Sequence, residues 1–122
     1  MCASTPPRGH RVLVVDDELL IAMLLEDILR EQGYVVVGPA YDVASALALV
    51  SSVEIDAAIL DINLAGRSSD QIARALRDKD VPVIFCTGSG IEELAYADEG
   101  SPVLAKPFRA DDVVAALGKL FA

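Results

Sequence analysis

The chain has 122 residues and a formal net charge of −9 at pH 7, with a pI near 4.4. This length predicts one domain. The acidic balance argues against the basic face that nucleic-acid binding needs, so we expect no nucleic acid among its partners. No apolar run reaches the roughly 18 residues of a membrane span, and residues 1–7 lack the apolar core of a signal peptide. We therefore expect a cytoplasmic protein without a membrane partner.

The composition also indicates the kind of core, the extent of the domain and the roles of its histidine and cysteines. An apolar content of 53% with 5% aromatic residues favours a core of Val, Ile, Leu and Ala. Residues 1–10 contain two prolines and a glycine, and we interpret them as a flexible tail ahead of a domain spanning residues 11–122. His10 has no partner at metal-binding spacing and is interpreted as a surface residue. Cys2 and Cys86 have no repeated spacing and fit a reducing compartment.

The first half of the chain predicts three strands separated by two helices. A strand over 11–15 precedes a helix that begins near Glu18 and ends at Gly33, with an apolar face of Ile21, Leu24, Leu25, Ile28 and Leu29. A second strand over 34–37 stops at Gly38-Pro39, and Asp42 caps the next helix. A third strand begins at Ala57 and is uncharged until it ends in Asp61, which is typical of a strand buried on both faces.

The second half continues the alternation. Residues 64–69 are predicted to be a loop in which Ser68 or Ser69 caps a third helix, with Ile72, Ala75 and Leu76 on its apolar face. A fourth strand over 81–86 leads into Thr87, and a short helix is predicted over 91–97. A fifth strand over 102–105 precedes Lys106 and a last helix with Val113, Ala116, Leu117, Leu120 and Phe121 on one face. Five alternations with short connections predict an α/β fold with a parallel sheet covered by helices on both faces.

Several polar side chains follow the predicted strands directly. Asp16 and Asp17 follow the first strand, Asp61 ends the third, and Thr87 follows the fourth. In open α/β sheets, ligands bind at the carboxyl ends of the strands. Two carboxylates about 4 Å apart repel by about 4 kcal/mol at an effective dielectric constant near 20, and a divalent cation removes this cost. Mg²⁺ suits such oxygen ligands and often bridges carboxylates to a phosphoryl group; Mn²⁺ could substitute for it.

Lys106 adds a positive charge at the same predicted edge. Its ammonium group could pair with Asp61 or with a phosphoryl oxygen, and Thr87 supplies a hydroxyl donor. A carboxylate nucleophile, a cation, an ammonium group and a hydroxyl form a site suited to phosphoryl transfer, in which positioning and charge neutralisation carry most of the catalysis.

These motifs resemble one known family. The chain resembles the receiver domain of the response regulators of bacterial two-component systems. The motifs that carry the resemblance are, in chain order, Val14-Val15-Asp16-Asp17, Leu60-Asp61, Cys86-Thr87-Gly88 and Lys106-Pro107-Phe108. The resemblance covers residues 11 to about 121. It implies a flavodoxin-like doubly wound (βα)5 fold with a five-stranded parallel sheet of order 2-1-3-4-5.

The resemblance also implies a role for each residue. Asp61 would accept a phosphoryl group from a phosphohistidine on a histidine kinase or phosphotransfer protein. Asp17, Asp61 and the backbone carbonyl of Asn63 would bind Mg²⁺ directly, and Asp16 would act mostly through bound water. Lys106 and Thr87 would hold the phosphoryl oxygens, and the Lys106-Pro107 peptide would be cis.

The family further implies a switch rather than an enzyme acting on a separate substrate. The protein would assist only its own phosphorylation and dephosphorylation. Thr87 would move on phosphorylation, and the change would reach the fourth helix, the fifth strand and the last helix, which would bind an unidentified downstream protein.

The chain departs from the family pattern at three places. Val103 lies three residues before the lysine, where the family usually has Tyr or Phe, so the usual aromatic rotamer switch cannot operate. Ala65-Gly66 stand where the family often has Met-Pro. The turn over 85–90 resembles the Phe-Ala-Thr-Gly stretch of a subgroup of stand-alone receivers that also lack the aromatic residue. We therefore expect a single-domain receiver without an attached output module.

Two other functions compete with this interpretation. A metal-dependent phosphatase of the aspartyl-phosphate type has similar chemistry, but such enzymes have a second acid two residues after the nucleophile, where this chain has Asn63. Their nucleophile also normally follows the first strand. The other alternative is a receiver-like interaction module that keeps the fold without using phosphate.

Overall fold

The computed structural model describes residues 9–64, 66–87, 103–106 and 108–121. The helix predicted over 91–97, most of the predicted tail and the Lys106-Pro107 peptide lie outside the described residues. Within them, the elements are β1 (Arg11–Val15), α1 (Leu19–Glu31), β2 (Val35–Ala40), α2 (Val43–Ser52), β3 (Ala57–Asp61), β4 (Asn63–Leu64), β5 (Arg67–Ser68), α3 (Asp70–Asp78), β6 (Val83–Thr87), β7 (Val103–Ala105) and α4 (Ala110–Leu120).

Five parallel strands form the main sheet in the order β2-β1-β3-β6-β7. Numbered along the chain, these strands have the predicted order 2-1-3-4-5, and the predicted doubly wound α/β fold is confirmed. The central strand β3 is buried along its whole length, because helices cover both faces of a sheet of this type.

Two apolar clusters lie on opposite faces of the sheet. Alternate β1 residues point to opposite faces: Val12 and Val14 belong to the cluster that includes α1 and α4, whereas Leu13 and Val15 belong to the cluster of α2 and α3. The strands are therefore held between two layers of helices, and their carboxyl ends are left as the edge at which polar side chains collect.

Helix α1 ends as predicted but buries a different stripe. Gly33 has a φ of 90°, and the backbone N–H groups of Gly33 and Tyr34 donate to Arg30 and Leu29, which is the αL termination that glycine favours. The prediction that Leu24 faces the core is wrong, since it is 42% exposed. Ala22, Leu25, Ile28 and Leu29 form the buried stripe, because a helix lying on a sheet buries only part of its circumference.

Strand β2 does not stop at Gly38-Pro39, as the sequence predicted, but continues to Ala40. The register with β1 shifts between Leu13 and Val15, after which Val15 pairs with Ala40. Gly38 has a φ of 93°, and a Cβ atom there would lie 2.8 Å from the Ala40 nitrogen. Within the part of the chain that the structure describes, β2 is an edge strand, and an edge strand tolerates proline because one side of its backbone does not pair with another strand. The extension brings Ala40 level with the end of β1.

Two further predictions are corrected near the site and at the start of the domain. The segment predicted as a loop after Asp61 contains a two-residue antiparallel pairing of β4 with β5, with Gly66 at a φ of 87°.

His10 is partly buried and is not the surface residue that the sequence predicted, since its ring stacks on the Phe121 ring with the two centroids 4.1 Å apart. Among the described helices, none is long and apolar enough to cross a membrane.

Candidate functional site

The strand register brings four predicted site residues to one edge of the sheet. Asp16 follows β1, Asp61 ends β3 and Thr87 ends β6, and all three are buried. Lys106 follows β7, and its backbone N–H donates to the Thr87 carbonyl at 2.8 Å. Because neighbouring strands end level with one another, residues far apart in the chain form one pocket.

Asp16 is fixed from two sides. Its backbone N–H donates to the Ala40 carbonyl at 3.1 Å, a contact that exists only because β2 continues past Pro39. Its Oδ1 accepts the backbone N–H of Glu18 at 2.9 Å. Asp16 therefore holds the turn into α1, as aspartates before helices often do, while its other carboxylate oxygen points into the pocket.

Lys106 is the centre of the pocket. Its Nζ lies 3.0 Å from Asp16 Oδ2, 3.1 Å from Glu18 Oε1 and 3.2 Å from Asp61 Oδ2. The Asp16 and Asp61 side chains are almost fully buried, whereas the Glu18 side chain is 60% exposed. The ammonium group thus connects the predicted phosphoacceptor to a buried acid and to a third acid at the mouth of the pocket.

The electrostatics of the pocket affect two neighbouring titratable groups. Burial lowers the pKa of Lys106, but its close contacts with Asp16 and Glu18 and the negative charges of Asp16 and Asp61 raise that pKa by more, so it lies above its ordinary value. The pKa of the Cys86 thiol is raised to about 12, mainly by burial; the charge of Lys106 lowers this pKa, and the charges of Asp16 and Asp61 raise it. At neutral pH the lysine is charged and the thiol is protonated.

The donor set fits a divalent cation. Ligand oxygens of Asp16, Glu18 and Asp61 all lie within 4.8 Å of one another, and three carboxylates with one ammonium group leave a formal charge of −2. Oδ2 of Asp16 is buried and, within the described ranges, has no hydrogen bond of acceptable geometry, although Lys106 Nζ is 3.0 Å away. A buried carboxylate oxygen in such a position is a suitable ligand for a hard cation.

Sequence reasoning named most of this pocket but missed Glu18. The signal for Glu18 is its place two residues after Asp16, in the turn that Asp16 closes by accepting the Glu18 backbone N–H. Asp17 is partly buried beside the pocket, and its metal-binding role, like that of the Asn63 carbonyl, stays a prediction. Val103 is 42% exposed on β7, away from the acidic cluster.

The fold and the site together define a class of protein: a doubly wound α/β domain with an acidic, lysine-bridged pocket at the carboxyl edge of its sheet. Residues 12–118 match the family model for the response regulator receiver domain. The chain belongs to this family.

Two curated proteins illustrate the relationship. The chain is 33% identical over 112 residues to the transcriptional regulatory protein PdtaR of Mycobacterium tuberculosis and 37% identical over 111 residues to the regulatory protein VanR of Enterococcus faecium. Each alignment covers 88% of this chain, but 55% of PdtaR and 48% of VanR. The chain therefore spans about half the length of the curated relatives it matches.

Solved structures show the same similarity. The solution structure of SdrG from Sphingomonas melonis Fr1 is 42% identical, with a TM-score of 0.78, and the match covers 93% of this chain and 98% of SdrG. The response regulator PhyR from Brucella abortus is 31% identical, with a TM-score of 0.82, over 96% of this chain and 49% of PhyR. SdrG is thus a relative of similar size, whereas PhyR is about twice as long.

Proposed function

We propose that this receiver domain accepts a phosphoryl group on Asp61 from a phosphohistidine of a sensor kinase or histidine phosphotransfer protein. The observation that carries the proposal is the contact of Lys106 Nζ with both Asp61 and Asp16 at the carboxyl edge of the sheet. One lysine is enough to neutralise one buried structural acid, whereas here Asp16, Glu18 and Asp61 share a single lysine, and the excess negative charge suits a bound cation.

The side chains account for the main requirements of the transfer. A carboxylate oxygen of Asp61 forms the new bond to phosphorus, the bond from phosphorus to the donor imidazole nitrogen breaks, and the imidazole leaves with the bonding electron pair. Lys106 then donates to a phosphoryl oxygen instead of to the Asp61 carboxylate, and the Thr87 hydroxyl donates to another. Mg²⁺, held by Asp16, Asp17, Asp61 and the Asn63 carbonyl, would supply positive charge that neutralises the transferred group. The protein assists its own phosphorylation and is not an enzyme acting on a separate substrate.

A protein donor is supported by the surface beside the pocket. Leu20, Met23 and Leu24 are exposed on α1, the helix that begins directly after Glu18. Large apolar side chains grouped on one exposed surface often mark a binding site. Because this surface adjoins the pocket, a protein that delivers a phosphoryl group to Asp61 would cover it.

The output is proposed to follow Thr87 and β7. Thr87 forms the end of β6 and pairs with Ala105 of β7. A movement of the Thr87 backbone would therefore shift β7, the strand in which Val103 replaces the usual aromatic residue. The receiver is proposed to be of the Phe-Ala-Thr-Gly type, on the resemblance of its turn after β6, and to act in the cytoplasm. Its downstream partner would be a separate protein.

Labelling by a small phosphodonor tests the proposal. With Mg²⁺ and acetyl phosphate, the wild type should take up one phosphoryl group, and Asp61→Asn should take up none. Asp56→Asn is the matched control: Asp56 lies before β3, at the opposite end of that strand, and accepts a hydrogen bond from the Arg11 backbone. It should label like the wild type.

Other outcomes would favour the competing functions. Unchanged labelling of Asp61→Asn would refute the assignment. Multiple turnover of a phosphate ester would favour an aspartyl-phosphate phosphatase. Partner binding that ignores both phosphorylation and Asp61 substitution would favour an interaction module.

A further inference from the structure

Glu18 is the member of the pocket to which the proposed transfer gives no role. Its Oε1 lies 3.1 Å from Lys106 Nζ, and its side chain is 60% exposed at the mouth of the pocket. Asp16 accepts the Glu18 backbone N–H and so fixes the Glu18 backbone beside the pocket. The turn therefore places the Glu18 side chain within reach of Lys106.

The contacts of Lys106 limit where its ammonium group can point. Its Nζ donates to Glu18 Oε1 at 3.1 Å and to Asp61 Oδ2 at 3.2 Å, and Asp16 Oδ2 lies 3.0 Å away as an ion-pair partner. When Asp61 is phosphorylated it loses its charge, and Lys106 must turn toward a phosphoryl oxygen. Glu18 keeps its charge and continues to compete with that oxygen for the ammonium group.

The position of Glu18 also affects the approach of the donor. A dianionic phosphodonor must pass the Glu18 carboxylate at the mouth of the pocket, and Glu18 supplies one of the three negative charges that, with Lys106, give the pocket its formal charge of −2. Like charges at an entrance oppose the association of an anionic ligand. Competition for Lys106 and repulsion of the donor act in the same direction.

We propose that Glu18 is a positioning residue that restrains Lys106 in the resting state and so slows phosphorylation of Asp61 by small anionic donors. This inference rests on the proposed function. Because Glu18 is mostly exposed, the effect should be moderate: Glu18→Gln should label about two- to fivefold faster, the range expected from the strength of an exposed ion pair.

The experiment compares initial labelling rates of the wild type, Glu18→Gln and Asp27→Asn with acetyl phosphate, at Mg²⁺ concentrations that saturate each variant. Asp27 is exposed on the same helix, and nine residues of helix place it about 14 Å further along the axis, beyond the Debye length of about 10 Å at 0.1 M salt. It controls for the loss of one negative charge, and its rate should equal that of the wild type.

A second measurement separates restraint of Lys106 from a general structural effect. At a fixed pH, the NMR chemical shifts of the Lys106 side chain should differ between Glu18→Gln and the wild type, because the contact with Glu18 is lost, and should be unchanged in Asp27→Asn. If the wild type labels on Asp61 but Glu18→Gln is no faster, or if the Lys106 signals do not move, the restraint is refuted while the proposed function stands. If the wild type takes no label, both are refuted.

Discussion

Replacement of Lys106 by Met should show how strongly the acidic pocket depends on its ammonium group. The substitution keeps an unbranched side chain of similar length and leaves Asp16 and Asp61 facing each other without a cation. Their ligand oxygens lie within 4.8 Å of one another, and at an effective dielectric constant near 20 two unit charges at that distance repel by about 3.5 kcal/mol. Removal of one partner from a buried ion pair costs roughly 3–5 kcal/mol.

We therefore expect Lys106→Met to lower the free energy of unfolding by about 3 kcal/mol in EDTA at pH 7. With excess Mg²⁺, the loss should fall below about 1 kcal/mol, because a divalent cation neutralises the same carboxylates and binds only the folded state. Urea unfolding followed by circular dichroism measures both values.

Lys79→Met is the matched control. The Lys79 ammonium group donates to the Val50 carbonyl. Lys79 lies at the end of α3, outside the acidic pocket. Its effect on stability should not depend on Mg²⁺. If Lys106→Met is as stable as the wild type in EDTA, or loses the same free energy with and without Mg²⁺, the electrostatic account of the pocket is wrong.

Three further predictions follow from the same structure. Leu20→Gln should slow phosphoryl transfer from a histidine phosphotransfer protein about tenfold, because it puts a polar group on the exposed apolar surface of α1, and should leave labelling by acetyl phosphate unchanged, because it adds no charge near the pocket; equal losses with both donors would contradict a protein-binding role. In a Cys2→Ser background, the Cys86 thiol should react slowly with a thiol reagent at pH 8 in the folded protein and rapidly in urea, because burial in the folded state raises its pKa to about 12. Rapid reaction of the folded protein would contradict this prediction. The pKa of Lys106 is raised in the folded state, so its contribution to stability is fully present below the unfolded lysine pKa of about 10.4 and is lost as the pH rises above it. The difference in free energy of unfolding between the wild type and Lys106→Met, measured in EDTA, should therefore shrink above that pH, and a difference that stays constant or grows would contradict the pairing.

The sequence was sufficient to predict the fold and most of the pocket. Strand ends can be located from apolar runs, and parallel strands end at one edge, so the proximity of Asp16, Asp61, Thr87 and Lys106 follows once the strand order is known. The termination of α1 at Gly33 and the cap of α2 by Asp42, whose Oδ1 accepts from Ser45 N at 2.7 Å, were predictable because such signals act within a few residues.

The features that were missed depend on packing between distant segments. Nothing local shows that β2 continues past Pro39, because the continuation requires the register shift against β1. The exposure of Leu24 depends on which part of α1 lies on the sheet, and helical periodicity alone defines a broader face than the one that is buried. Glu18 joins the pocket through the turn at Asp16 and through Lys106, which is 88 residues away in the chain.

The most direct measurement is the location of the phosphoryl group in the labelled protein. Borohydride reduces an aspartyl phosphate to homoserine, and peptide mass spectrometry then identifies the modified position. After incubation with Mg²⁺ and acetyl phosphate, we predict homoserine at position 61 and at no other aspartate. Homoserine at Asp16, Asp17 or a surface aspartate, with none at 61, would contradict the account.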